Sequence, residues 1–309
     1  MKKALLRFIA AGFIAGICFA NFSVNAQVVL STTGQNGLEL GENSFTGIRV
    51  TNTFATFDHF DVNTSEGLFT EISAPGYTFT WEEGMPKLPV MRRLIEIPAG
   101  AQPVVSIVSY DVKEYSLSEF GITHQLMPTQ PGVAKSQKTP AAFVIDRSAY
   151  SRDAMTKSAP ARVEVIGYMR DKHVARIEIS PVSYNPVQGT IRVYENIVVD
   201  VRFNGGDYAQ TSLLSDKTRS PYFNGFSFLN QLPKGSGSRG NLTSYPIKMV
   251  IVSHPMFHDA LQPYIAWKVR KGFTVVEAYT DDPAVGTTTT SIKNYLRNLY
   301  QAATPEDPA

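Results

Sequence analysis

The residues of this chain with the chemistry to act on a ligand or substrate are few and scattered. His254 and His258 stand four apart with Asp259 beside them, a spacing that on one helix would present two imidazoles to a metal ion. Pro255 follows His254, however, and the residue before a proline is pushed out of helical geometry, so His254 is expected at a strand end or helix N-cap. His59 lies between Asp58 and Asp61 in an alternating, strand-like stretch, where a solvated polar face is the simpler reading than a ligand set. Asp281-Asp282 offers oxygens to calcium, but a lone acidic pair in a loop is no cage. Tyr77, Phe79 and Trp81 alternate in a way that suits either an aromatic binding platform or ordinary strand packing. No HExxH, GxSxG, P-loop or CxxC pattern occurs. The one cysteine is Cys18, so the rest of the chain has no thiolate nucleophile, disulfide or thiolate metal site. Taken alone, the residues assemble neither an active site nor a metal centre.

Two kinds of scaffold must position them. From Val28 to about Phe203 the pattern is short alternating runs cut by Pro, Gly and Asn, with no helical periodicity before residue 210. Arg162–Tyr168, Arg176–Ile179 and Thr190–Phe203 are the clearest strands, and Glu195-Asn196 interrupts the last one as a bulge would. Pro181–Gly189, with Asn185-Pro186 and Gly189, reads as a turn-rich connection. Many short strands with turn signals predict a mostly β, sandwich-like domain over residues 27–232. Phe223, Phe226 and Phe228 near its end are apolar enough to dock somewhere. A Gly/Ser-rich flexible linker follows over 233–245, exposed to proteolysis.

Past the linker the period changes. Pro246–Ser253 is a short apolar run, and Phe257, Leu261, Tyr264, Ile265 and Val269 then form a helical stripe that Gly272 stops. Phe273–Tyr279 is a second strand, Thr287–Ser291 supplies N-cap candidates, and Ile292, Tyr295, Leu296, Leu299 and Tyr300 form a second stripe. This β-α-β-α order opens a parallel α/β domain over 246–309. Two parallel strands leave apolar faces uncovered, so the chain is expected to be the N-terminal part of a longer protein.

Residues 1–26 pair Lys2, Lys3 and Arg7 with the apolar run Phe8–Phe22 and the small residues Val24 and Ala26. That is an export signal cut between Ala26 and Gln27, too short in its apolar part for a membrane span. The chain has 29 basic and 27 acidic residues, and three of the bases sit in this leader, so no basic surplus remains for nucleic acid.

Several runs, in order, resemble the gingipain-type secreted bacterial cysteine peptidases. They are Gly84-Met-Pro-Lys-Leu-Pro-Val90 with Ile95-Glu-Ile-Pro-Ala-Gly100; Ile179-Ser-Pro-Val-Ser-Tyr-Asn-Pro186, continuing to Val201; and Phe223-Asn-Gly-Phe226. Met249-Val-Ile-Val-Ser-His254, Ile265-Ala-Trp-Lys-Val-Arg-Lys-Gly272 and Ile292-Lys-Asn-Tyr295 complete the set. The resemblance implies a zymogen: signal, β-sandwich propeptide, then a caspase-like α/β domain whose opening β-α-β-α is present here. It implies a cysteine nucleophile and a histidine in a Gly-His-Gly context, and neither occurs in these residues, so no catalytic residue carries over.

It further implies that the sandwich blocks its own or a cognate catalytic domain and assists its folding, with peptides or proteins as substrates of the complete enzyme. A blocker can offer a basic side chain to an acidic specificity pocket. Lys135 and Lys138, in the prolyl-flanked stretch Pro128–Pro140, are the candidates, and Lys234 and Arg239 are the candidate activation cleavage sites. No cofactor or metal is expected; calcium is left open for the full-length family and is assigned no site here. The protein is expected to be secreted or held at a bacterial cell surface. Two alternatives remain open: a secreted β-sandwich adhesion or binding module, and an inactive relative serving in secretion or surface assembly.

Overall fold

The computed structural model describes residues 26–32, 34–136, 141–218, 227–232, 247–304 and 307. The strands run β1 Ala26–Val29, β2 Gly37–Ser44, β3 Gly47–Thr53, β4 Thr56–Thr64, β5 Gly67–Ser73 and β6 Thr78–Phe79. They continue with β7 Pro89–Ile97, β8 Gln102–Ser116, β9 Ala161–Met169, β10 Lys172–Ile179, β11 Val182–Asn185 and β12 Thr190–Asn204. Two short helices accompany them, α1 Arg147–Tyr150 and α2 Tyr208–Lys217.

These strands make three antiparallel sheets, ordered β1-β4-β5, β6-β7-β10-β9 and β11-β12-β3-β2, with β8 on the far side of β12. The strand β12 is the keel. Its alternation buries Ile191, Val193, Glu195, Ile197, Val199, Val201 and Phe203 in succession, as a strand of period two packed on one face requires. Against it, Ile48 and Val50 of β3, Ile95 and Ile97 of β7, and Ile177 and Ile179 of β10 form one core, with two sheets face to face. Phe54, Phe57, Phe69, Leu126, Tyr150 and Tyr184 form a second core under the three-stranded sheet.

The expected bulge at Glu195 is present: the β8 register slips between Tyr194 and Asn196. Glu195 points inward, where it takes the Tyr115 hydroxyl and the Lys113 ammonium. Pro181–Gly189 is only partly a turn. Val182–Asn185 is the strand β11, and Asn185 then closes the turn by accepting from the Val187 and Gln188 amides at 3.1 and 3.3 Å.

One helix lies where the sequence shows no helical period. Helix α2 begins at residue 208, with Asp207 as its cap accepting from the Gln210 amide at 2.9 Å. It buries no residue, so its sequence carries no apolar stripe by which periodicity could reveal it.

Phe228 is half-buried, whereas Phe223 and Phe226 lie outside the described residues. Residues 229–232 are strapped to β7. The Leu229 amide donates to the Leu94 carbonyl at 2.8 Å, and the Asn230 side chain bonds both the amide and the carbonyl of Glu96, each at 2.9 Å.

From residue 247 the architecture is parallel α/β: β13 Ile247–Ser253, α3 His258–Arg270, β14 Phe273–Tyr279 and α4 Thr289–Gln301. Strands β13 and β14 pair in parallel, Val250 opposite Val276. Thr288 caps α4 by accepting from the Ser291 amide at 3.0 Å. Among the described residues no helix is long and apolar enough to cross a membrane.

Candidate functional site

The stretches 128–136 and 141–146 leave the second core as the two arms of a tightly built neck. Its first arm pairs with the β6–β7 connection: the Thr129 amide donates to the Met85 carbonyl and the Gly84 amide to the Thr129 carbonyl, both at 2.8 Å. Its second arm returns through Asp146, whose amide donates to the Gly84 carbonyl at 3.0 Å. The two arms are also joined to each other. Gln130 donates from Nε2 to the Val144 carbonyl at 2.8 Å and accepts from the Val144 amide at 3.0 Å, one side-chain amide replacing a strand pair.

Gly84 sits between the arms with φ +78°, and a Cβ there would lie 2.8 Å from the Asp146 amide nitrogen. Both the backbone sign and the space require glycine. Below the neck, Asp146 caps α1; the Ser148 hydroxyl and the Ala149 amide hold its carboxyl below the usual range. Tyr150 then plugs the core, its hydroxyl donating to the Leu126 carbonyl at 2.6 Å. Burial pushes that phenol far above its ordinary pKa.

Beyond the neck, residues 132–136 are all exposed. Lys135 is among them, and among the described residues no carboxylate pairs with it. Lys138, Lys234 and Arg239 lie outside the described residues. Gln27 lies in β1, opposite Asp58 of β4.

The other candidates resolve into local structure. His254 ends the strand β13 and accepts the Met256 amide on Nδ1 at 3.2 Å, a cap and not a ligand. His258 pairs with Asp259 at 2.9 Å and packs on the Tyr279 ring. Glu277 completes that surface cluster; the Tyr279 hydroxyl and Gln262 bond it and hold its carboxyl below the usual range. Asp61 takes the Thr70 hydroxyl at 2.6 Å and lies 3.5 Å from His124, leaving His59 out of that contact. Asp282 accepts the Ala284 amide at 2.8 Å and closes a turn. Among the described residues no three His, Cys, Asp or Glu side chains converge on a metal position.

The three aromatics part company. Tyr77 is partly buried, packs against both cores, and its hydroxyl donates to Asn52 and to the Thr53 carbonyl at 2.9 and 2.8 Å. Phe79 is half-buried beneath Lys87, and Trp81 alone stands out, 55% exposed. Sequence reasoning misses the neck, because Gly84, Gln130 and Val144 come together across 14 to 60 positions and no spacing rule links them.

Comparison with known proteins identifies the family. Residues 35–226 match the family Propeptide_C25, and residues 242–309 match Peptidase family C25. Lys-gingipain from Porphyromonas gingivalis is 36% identical over 307 residues, which is 97% of this chain and 17% of the relative. Gingipain R2 from the same species is 22% identical over 254 residues, 78% of this chain and 32% of the relative. The chain therefore spans less than a third of either relative's length. Among solved structures, one addressing the zymogenic latency of gingipain K from Porphyromonas gingivalis superposes with a TM-score of 0.54 at 34% identity. It covers 59% of this chain and all of its own.

Proposed function

Because this chain belongs to the C25 peptidase family, with propeptide before peptidase domain, we propose that its sandwich holds a secreted bacterial cysteine endopeptidase latent. Lys135 would enter the specificity pocket of the peptidase domain. The observation that carries this reading is the gripped loop: residues 132–136 project from a neck tied by Gly84, Gln130 and Asp146. A peptide segment held at both ends fits a cleft as a substrate does, while the neck keeps the two sides of a cut from separating. Such preorganisation lowers the entropy lost on binding. The lysine in the name Lys-gingipain agrees with a lysine at this tip.

In the complete protein a thiolate would attack the peptide carbonyl with imidazole assistance. Export would follow cleavage after Ala26, leaving Gln27 first, and activation would follow cleavage after Lys234 or Arg239. The partner is the protein's own peptidase domain, the eventual substrates are peptides or proteins, and no nucleic acid is involved.

The test is inhibition in trans. The full chain should inhibit the mature peptidase competitively, and Lys135→Ala with Lys138→Ala should raise the inhibition constant at least tenfold. An unchanged constant would remove the two lysines from the mechanism. N-terminal sequencing of the matured peptidase checks the activation sites, and a start far from 235–245 would reject them.

A further inference from the structure

Among the exposed groups that this reading does not use is Trp81, on the connection between β6 and β7. Tryptophan is enriched among the residues that dominate interfaces, so an exposed one held in a fixed pose is a candidate contact. Its indole is not loose. The Arg92 guanidinium stacks on the ring at 3.8 Å from the centroid and Arg176 lies at 4.5 Å. Arg92 is itself fixed, bonded to Glu178 at 2.5 Å, to Thr78 at 2.8 Å and to the Phe79 carbonyl at 2.6 Å. Glu82 and Glu83 follow Trp81, both exposed and, among the described residues, without a cationic partner.

The backbone places this group beside the loop's neck. The Thr129 hydroxyl donates to the Thr80 carbonyl at 3.2 Å, and the Thr129 carbonyl accepts from Gly84 at 2.8 Å. Trp81 thus sits between two residues that both hold Thr129. From Thr129 to Lys135 the chain reaches at most about 20 Å, less than the width of a globular domain of ~100 residues. A body that receives the loop tip therefore comes up against Trp81 as well.

We propose that Trp81 is a second anchor for the peptidase domain, separate from the loop, and that Glu82 and Glu83 flank it as a charged rim. The complementary surface is an apolar recess edged by Lys or Arg, beside the cleft that takes the loop. This rests on the reading of the sandwich as a propeptide. The chemistry suits an interface centre, where tryptophan and arginine dominate binding and a rim of charge surrounds them. A sugar needs a bare aromatic face to stack on, and here guanidinium groups lie over the ring.

The experiment is equilibrium binding of the full chain to the mature peptidase by calorimetry, with each variant's thermal unfolding recorded. Trp81→Ala is expected to weaken binding about 30-fold, the level that marks a dominant interface residue. Glu82→Lys with Glu83→Lys, both at exposed positions, is expected to weaken it about tenfold at low salt and less at high salt. In a Trp267→Phe background the remaining tryptophan emission of this chain should shift to the blue on binding.

Binding of Trp81→Ala within twofold of wild type, with no blue shift, would overturn the anchor even if Lys135→Ala weakens binding. A wild-type chain that does not bind the peptidase would overturn the propeptide reading and the anchor together.

Discussion

The sandwich and the α/β stretch obey the same local rules and differ in what those rules accomplish. In the sandwich, β12 buries seven alternate side chains between two sheets. In the α/β stretch every residue of β13 is only half-buried, α3 buries Ile265 alone and α4 buries none. Yet α4 is well capped, and β13 and β14 are paired along their whole length. Caps and ladders make elements, whereas closure of apolar surface makes stability, at about 1.5–3 kcal/mol for each fully buried aliphatic side chain. Apolar side chains on α3 remain largely uncovered, Trp267 at 44% and Val269 at 54% exposure. Within these residues, cooperative stability is therefore expected to reside in the sandwich.

Paired substitutions test this contrast, the largest effect first. Phe54→Ala, at a fully buried ring, should cost about 4 kcal/mol in urea unfolding. Val250→Ala in β13 should cost about 1 kcal/mol, because its side chain is only partly buried. Equal losses would mean that the α/β stretch is as well packed as the sandwich.

Buried charge sharpens the comparison. Glu178 is bonded to both Arg92 and Arg162 and is 7% exposed. Glu178→Ala should cost about 3 kcal/mol, since it leaves the Arg92 guanidinium desolvated and unpaired. Glu277→Ala, at an exposed carboxylate of the α/β stretch, should leave the unfolding midpoint where it was.

Two glycines make the third pair. Gly84 and Gly272 both hold a left-handed backbone, but a Cβ at Gly272 meets nothing within 4 Å. Gly272→Ala should cost about 1 kcal/mol for the backbone alone. Gly84→Ala should cost about 2 kcal/mol or more and make the bonds around Lys135 more susceptible to limited proteolysis, because the neck must open. If the proteolysis rate stays the same, the loop is not gripped there.

The last effect is read on the alkaline side. Burial pushes the Tyr184 phenol up to about 12 from its usual 10. Between those values the folded chain keeps a proton that the unfolded chain releases. The contribution is thus complete below pH 10 and declines as pH rises toward 12, by about 1.4 kcal/mol per pH unit. Tyr184→Phe should flatten the fall of stability with pH in that window. Tyr279→Phe, whose phenol is raised by its surface bond to Glu277, should not.

Much of the molecule is legible in its sequence. The β class, the β-α-β-α order, the bulge at Glu195 and the capping role of His254 follow from period, proline and turn residues. What escapes is whatever lacks a period or spans a long separation. Helix α2 has no apolar face to betray it. The fate of Tyr77, Phe79 and Trp81 is ambiguous because alternation assigns faces, not depth, and only packing sets one of them against the cores and another at the surface.

By itself, then, the sequence determined the elements and their order, since those depend on torsions and contacts within a few residues. It also carried the family's motifs, which are local strings. The tertiary structure alone decided which segments are tied to Gly84 and which aromatic faces outward. Those outcomes depend on Gly84 meeting Asp146 and on Arg92 and Arg176 meeting Trp81. Such meetings are set by how sheets close on a core, and no string of neighbours in the chain encodes them one residue at a time.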